Sequence, residues 1–210
     1  MKNIIYYENN MKSTLDYYDI NAKKFVKETV NIDFSETQRR FLDKLCVGDI
    51  ILDFGCGSGR DTKYFLSKGL NVEAIDGSKE ICKLASEYTG IEVKQMRFQD
   101  LEEVNKYNGI WACASILHLC KEELLSVINK MIIALKDNGV IYISFKNSEF
   151  EGIHNGRYFI DFTVEKFSEF IKDINNICIE DTWITLDLRP GKENERWLNL
   201  ILRKTSINNI

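Results

Sequence analysis

Ile50-Ile-Leu-Asp-Phe-Gly-Cys-Gly-Ser-Gly59 is an apolar run that leads into three glycines at every second position. The helix-forming stretch Arg60-Asp-Thr-Lys-Tyr-Phe-Leu66 follows and stops at Gly69. A buried strand therefore turns sharply into a helix. Bare glycines let the backbone bend tightly and let a ligand approach it closely, while the helix N-terminus offers unpaired N–H donors. A nucleotide-like ligand is expected there. Asp76, 21 residues beyond Gly55 and at the end of the next apolar run, is placed to accept hydrogen bonds from ribose hydroxyls. Asp100 follows a third run and is placed to meet an adenine ring. Glycine-rich turns also serve purely structural ends, and an acid at a strand end also serves as a helix cap. Three coordinated features on successive strands favour the ligand.

Outward from this segment, short apolar runs alternate with amphipathic helices, the mark of βαβ units and a parallel sheet. Strands are expected at Ile50–Phe54, Asn71–Asp76, Ile91–Met96, Gly109–Ser115 and Val140–Phe145. Helices are expected from Gly59 to Gly69, from an N-cap at Ser78, and over Lys121–Lys136 with Asn138-Gly139 as the stop. Upstream, residues 14 to 28 and Glu36 to Leu45 read as helices. Downstream, Thr163 caps a helix, and the runs Ile177–Leu186 and Trp197–Arg203 are joined by a polar turn at Pro190-Gly191. With no room for a crossover helix, these two strands should pair antiparallel. The expected fold is α/β: a Rossmann-like, open, mostly parallel sheet with helices on both faces, a terminal antiparallel strand pair and N-terminal helices. It forms one domain over 1–210, with 1–48 as a helical extension or lid and 49–204 as the α/β core.

The 210 residues carry 28 basic and 32 acidic side chains, a formal charge of −4 that does not by itself draw the chain to nucleic acid or an anionic membrane. Six cysteines lie far apart with no C-x-x-C pair, as in cytosolic proteins with reduced thiols. The apolar stretch in Met1–Glu8 is too short for a signal peptide, and nowhere do 18 apolar residues run together. A cytoplasmic protein without linkers or repeats is expected.

The ordered segments Asp53-Phe-Gly-Cys-Gly-Ser-Gly59, Ala74-Ile-Asp-Gly-Ser78, Gln99-Asp-Leu101, Ala114-Ser-Ile-Leu-His118 and Leu135-Lys-Asp-Asn-Gly139 resemble the motifs of class I S-adenosylmethionine-dependent methyltransferases, over roughly residues 14 to 204. Gly55-Cys-Gly-Ser-Gly-Arg60 lacks the last glycine of the G-x-G-x-x-G pattern usual in nicotinamide enzymes. The resemblance implies S-adenosylmethionine as cofactor. It implies that Asp53, Gly55, Cys56, Gly57 and Arg60 face its methionine part, that Asp76 with Gly77 and Ser78 holds the ribose, that Gln99, Asp100 and Leu101 meet the adenine, and that Ser115 sits beside the sulfonium. Gly-Ser-Gly-Arg-Asp61 is also similar to the start of the first helix in methyltransferases of the thiopurine and tellurite-resistance type.

Methyl transfer from a sulfonium is an in-line displacement that needs alignment and water exclusion but no metal or covalent intermediate. His118, after the fourth strand, is the candidate general base; contact with cofactor or substrate without proton transfer is the alternative. Tyr17 and Tyr18 on the N-terminal helix offer an aromatic face to a sulfonium, although the same spacing would let one of the pair face the core. Arg157, Tyr158, Arg189, Lys192 and Arg196 are candidates for gripping an anionic acceptor, while His154 reads as an exposed loop residue. The segment Ala112-Cys-Ala-Ser115 stands where methyltransferases of exocyclic nitrogens carry Asn-Pro-Pro-Tyr. Cys113 and Cys120, without an adjacent thiol pair, read as packing residues. The leading expectation is a small-molecule methyltransferase. The alternatives are a tRNA base methyltransferase, which the acidic composition disfavours, a noncatalytic S-adenosylmethionine-binding module, and a dinucleotide-dependent oxidoreductase.

Overall fold

The structure, a computed structural model, describes residues 2–205, with side chains from Thr14 onward; the side chains of Met1–Glu8 and residues 206–210 lie outside the described residues. The chain begins with two helices, α1 (Lys2–Thr29) and α2 (Ser35–Leu42). There follow β1 (Ile50–Phe54), α3 (Arg60–Ser67), β2 (Asn71–Asp76), α4 (Lys79–Thr89), β3 (Val93–Gln95), β4 (Tyr107–Ala112), α5 (Lys121–Ala134) and β5 (Leu135–Lys146). The last third holds β6 (Glu151–His154), β7 (Arg157–Ile160), α6 (Val164–Ile171), β8 (Ile177–Leu186) and β9 (Arg196–Lys204). The main sheet runs β3-β2-β1-β4-β5-β9-β8, parallel from β3 to β5 and antiparallel at β5-β9 and β9-β8. The expected mostly parallel sheet with a terminal antiparallel pair is therefore present.

Alternation along the strands distributes side chains to two cores. Ile110, Ala112, Ile141, Ile143 and Phe145 face α5 and α6, where Leu124, Ile128 and Phe167 are buried. Trp111, Val140, Tyr142 and Ile201 face the opposite side, against Phe41 of α2 and Phe65 of α3. Trp111 stacks on Tyr142 with centroids 3.9 Å apart, one strand across. Ser78 and Thr163 act as the expected N-caps, accepting from the N–H groups of Ile81 and Lys166 at 3.2 and 3.3 Å.

Several boundaries differ from expectation. The third strand is Val93–Gln95, shorter than Ile91–Met96, and the fourth runs over Tyr107–Ala112, two residues upstream of Gly109 and short of Ser115. Ala114 takes φ 49°, which ends the strand geometry before Ser115. Asn138-Gly139 does not stop α5. The helix ends at Ala134, and Asn138, at φ 61°, lies in the irregularity of β5 where pairing shifts from Tyr107↔Leu135 to Gly109↔Val140. A Cβ on Gly139 would sit 2.9 Å from the Lys136 carbonyl oxygen, so close backbone approach explains this glycine. The segment after β5, expected as a loop, is instead the β6–β7 hairpin. Its turn is Asn155-Gly156, with φ 51° and 75°, as a tight hairpin requires.

Candidate functional site

Strand order reverses between β1 and β4: β2 and β3 lie to one side of β1, β5 to the other side of β4. At such a switch point the loops leaving the strand ends part and leave a crevice. A cavity of about 280 Å³ occupies it, bordered by the turn after β1, Asp76, the segment after β4 and the inner face of α1.

Gly55, Gly57 and Gly59 take φ of 86°, 55° and 77°, a left-handed path that side chains disfavour. The Gly55 and Cys56 N–H groups donate to the Ile75 carbonyl at 3.0 and 2.9 Å, which ties the turn to β2. A Cβ on Gly55 would lie 2.5 Å from the Ser115 Cβ, and one on Gly57 would lie 3.1 Å from the Phe25 ring. The bare backbone is thus the floor of a cradle roofed by α1. Asp76 accepts from the N–H of Gly57 at 3.1 Å and of Ser78 at 2.9 Å. Burial pushes its carboxyl up to about 6, against the pull of the Ser78 and Gly57 N–H groups, with Asp19 nearby adding to the rise. Two backbone bonds leave the carboxylate with further acceptor capacity toward the cavity, as a vicinal diol needs.

Asp53 lies beneath the turn, 2% exposed, and accepts from the Thr62 hydroxyl at 2.5 Å. Burial, with the neighbouring Asp61 charge, pushes it well above the usual carboxylate range. It supports the turn from below and does not border the cavity. Arg60 does border it, and donates to Asp61 through Nε at 2.7 Å and Nη2 at 2.9 Å. Asp61 also accepts from Gln38 Nε2 at 2.6 Å and Trp111 Nε1 at 2.9 Å. Burial pushes this acid up, but the Arg60 guanidinium and these donors hold its net value below the ordinary range. In the sequence Asp61 stands only as part of the helix-start resemblance, without a role; its partners come from α2, α3 and β4.

At the far end, Gln99 borders the cavity, whereas Asp100 turns outward to Arg97 at 3.1 Å and Leu101 is buried with its carbonyl on Lys130. Met96, Arg97 and Phe98 form the wall instead. Phe98 packs on Phe54 at 4.7 Å, and apolar residues directly after the third strand were the available signal. Ser78, fully buried, donates its hydroxyl to Asp19 of α1 at 2.5 Å and caps α4; it is not part of the wall. Cys56 and Gly77 border the cavity, with Leu15 of α1 pressed on Gly77. Ser115 borders it too, its hydroxyl donating to the Phe54 carbonyl at 2.7 Å.

Across the cavity, His118, Tyr18 and Arg157 form a chain. The His118 Nδ1 lies 2.7 Å from the Tyr158 carbonyl, which only accepts, so Nδ1 carries the proton. Nε2 then accepts from the Tyr18 hydroxyl at 2.9 Å, and Tyr18 in turn accepts from Arg157 Nη1 at 3.1 Å. Burial pushes His118 down to about 4, opposed by the Tyr158 carbonyl and reinforced by Arg157 and Lys146. The imidazole is neutral at physiological pH, and its lone pair is engaged by Tyr18. Because acid protonates the unfolded chain, with an ordinary value near 6.5, before the native imidazole, the contribution of His118 to stability falls as pH drops from about 6.5 to about 4. Urea midpoints measured across that window are expected to decline less steeply for His118→Gln than for the wild type.

The remaining expected residues divide. Arg157, Arg189 and Lys192 border the cavity, as does the exposed His154, which belongs to the β6–β7 hairpin and not to a loop. Arg196 is exposed and does not border it. Tyr158 stays outside the wall, its hydroxyl on Glu151 at 2.7 Å, and Tyr17 lies behind Tyr18 with its ring under Arg157 at 4.3 Å.

Residues 51–139 match the sequence model of the family described as "Methyltransferase domain". This match, with the fold and the relatives below, supports an enzyme of the S-adenosylmethionine-dependent methyltransferase kind on a Rossmann-like fold. Among individual proteins, the chain is similar to an uncharacterized methyltransferase of Staphylococcus carnosus, 26% identical over 72% of this chain and 77% of that one. It is also similar to the N-terminal Xaa-Pro-Lys N-methyltransferase 1-B of Xenopus laevis, 33% identical over 44% of this chain and 45% of that one. Among solved structures, Burkholderia thailandensis 1,6-didemethyltoxoflavin-N1-methyltransferase, with 1,6-didemethyltoxoflavin and S-adenosylhomocysteine bound, shares the fold. Its TM-score is 0.71 at 20% identity, over 98% of this chain and 89% of that one. No helix among the described residues is long and apolar enough to cross a membrane.

Proposed function

We propose that this protein transfers a methyl group from S-adenosylmethionine to a small-molecule acceptor. The observation that carries this reading is one cavity running from the glycine turn to the β7 and β8–β9 end, with Leu15, Tyr18 and Phe25 of α1 in its wall. Such a chamber suits a metabolite better than a polynucleotide, which needs an open, basic track. When bound, S-adenosylmethionine supplies a methyl carbon on a sulfonium that leaves as a neutral thioether when an acceptor lone pair attacks in line. The chain's own residues align the partners and keep water out. In this reading the Gly55–Gly59 backbone and Arg60 hold the amino-acid end, Asp76 the ribose, and Met96, Phe98 and Gln99 enclose the base. Ser115 flanks the reacting centre. Tyr18 orients His118, which contacts the acceptor as a neutral group and takes a proton only if Tyr18 swings off Nε2.

Asp76→Ala is expected to weaken S-adenosylhomocysteine binding by about ten- to a hundredfold in calorimetric titration, the worth of hydrogen bonds to a charged group. Incubation with methyl-labelled S-adenosylmethionine and fractionated cell extract tests the acceptor class. Label should collect among metabolites. Label in RNA, or in protein as the name of the Xenopus relative suggests, would overturn the small-molecule assignment; binding without any transfer would point to a noncatalytic role.

A further inference from the structure

Six cationic side chains border the cavity, and five are ion-paired with four carboxylates, Lys146 and Lys192 sharing one. Arg60 is held by Asp61, Arg97 by Asp100, Arg189 by Asp187 at 2.5 Å, and both Lys146 and Lys192 by Glu195 at 2.8 and 2.6 Å. Arg157 has no carboxylate within ion-pair distance among the described residues. Its hydrogen bond among them is to the neutral Tyr18 hydroxyl, and its Nε is shut off from solvent with no acceptor there. The guanidinium lies among three rings, 4.3 Å from Tyr17, 5.5 Å from Tyr18 and 5.0 Å from Phe159. Rings of this kind hold an arginine in place without cancelling its charge. In the wall of the same cavity, Leu186 and Leu188 are more than half exposed, 54% and 55%.

One cavity wall thus holds both an unpaired cation and exposed leucines, an anion receptor and an apolar surface. We propose that Arg157 is the specificity-determining residue for the acceptor, which is a small apolar molecule carrying a carboxylate. The carboxylate seats on the Arg157 guanidinium, and the apolar body lies along Leu186, Leu188 and Phe159. The planar guanidinium offers a carboxylate the Nη hydrogens that Tyr18 does not engage. An anchored carboxylate is a weakened nucleophile, because the same bonds that hold its oxygens must be broken to free a lone pair. The methylated atom is therefore a second nucleophile of the acceptor, and the product keeps its negative charge.

This inference rests on the methyltransferase reading, and its test keeps the two apart. Protein loaded with S-adenosylhomocysteine is titrated calorimetrically with benzoate and 3-phenylpropionate, and in parallel with benzamide and 3-phenylpropionamide. At least one carboxylate should bind about tenfold or more tightly than its amide, the worth of one charge-assisted contact. Arg157→Gln should erase that preference and Arg157→Lys should retain part of it, while S-adenosylhomocysteine affinity and the thermal midpoint stay near wild type. Equal affinity for acid and amide, no binding of either acid, or a preference that survives in Arg157→Gln would overturn the assignment. Failure of S-adenosylhomocysteine itself to bind would instead strike the methyltransferase reading. A melted Arg157→Gln variant leaves the wild-type acid-to-amide ratio as the deciding number.

Discussion

Gly55→Ala is expected to abolish tight S-adenosylhomocysteine binding and to lower stability by about 2–5 kcal/mol, the sum of two costs. Alanine at φ 86° sits in the left-handed region, at about 1–2 kcal/mol. Its Cβ would also stand 2.5 Å from the Ser115 Cβ and 3.0 Å from the Phe98 ring. Overpacking of this kind adds about 1–3 kcal/mol. Ser115 cannot give way easily, because its hydroxyl is anchored on the Phe54 carbonyl. The turn itself must shift, and its N–H groups with it. Gly90→Ala is the internal control: φ is 83° there too, yet a Cβ would meet nothing within 4 Å, so only the conformational cost applies. Urea denaturation and calorimetric titration of both variants measure the two effects, and a Gly55→Ala protein that binds like Gly90→Ala would show that the cradle is not the ligand's floor.

The second large effect is expected at Asp61. Asp61→Ala removes the acceptor of Arg60, Gln38 and Trp111 together and leaves a buried guanidinium without a counter-charge, a loss of about 3–5 kcal/mol. The double variant Arg60→Met with Asp61→Ala should recover much of that loss, because the cost lies chiefly in the orphaned charge. The pH dependence follows from the sign of the shift. The native carboxyl is held below its ordinary 3.8, so its contribution is present at neutral pH and is lost as pH falls through the lowered native value. Urea midpoints of the wild type and the two variants, at neutral pH and again in acid below the ordinary carboxylate range, measure this; equal losses for the single and double variants would contradict it.

Much of the cradle is legible in the sequence itself. Gly55, Gly57 and Gly59 spell their own conformation, since glycine alone adopts a left-handed φ at no steric cost. Ser78 and Thr163 announce the helices they cap, and Asp76 closes an apolar run that reads as a buried strand. The hairpin at Asn155-Gly156 carries an equally local signal, the Asn-Gly pair, which apolar periodicity alone passes over. Asn138-Gly139 carries the same pair and means something else. There β5 bulges, because Gly139 must fit against the Lys136 carbonyl and β4.

The parallel sheet, its antiparallel ending, the glycine turn and the acid beyond it were determined by sequence alone, because backbone sterics and the two-residue alternation of strands act between near neighbours. Charge pairing and proton placement were decided by tertiary structure. The His118 tautomer depends on Tyr18, 100 residues away, and on Tyr158; the state of Arg157 depends on Tyr18, 139 residues away. Acids interspersed near Arg189 in the sequence already weaken its case, and the fold pairs it with Asp187, while Asp100 turns from the base toward Arg97. Electrostatic partners are chosen by distance in space, and only the folded chain sets those distances.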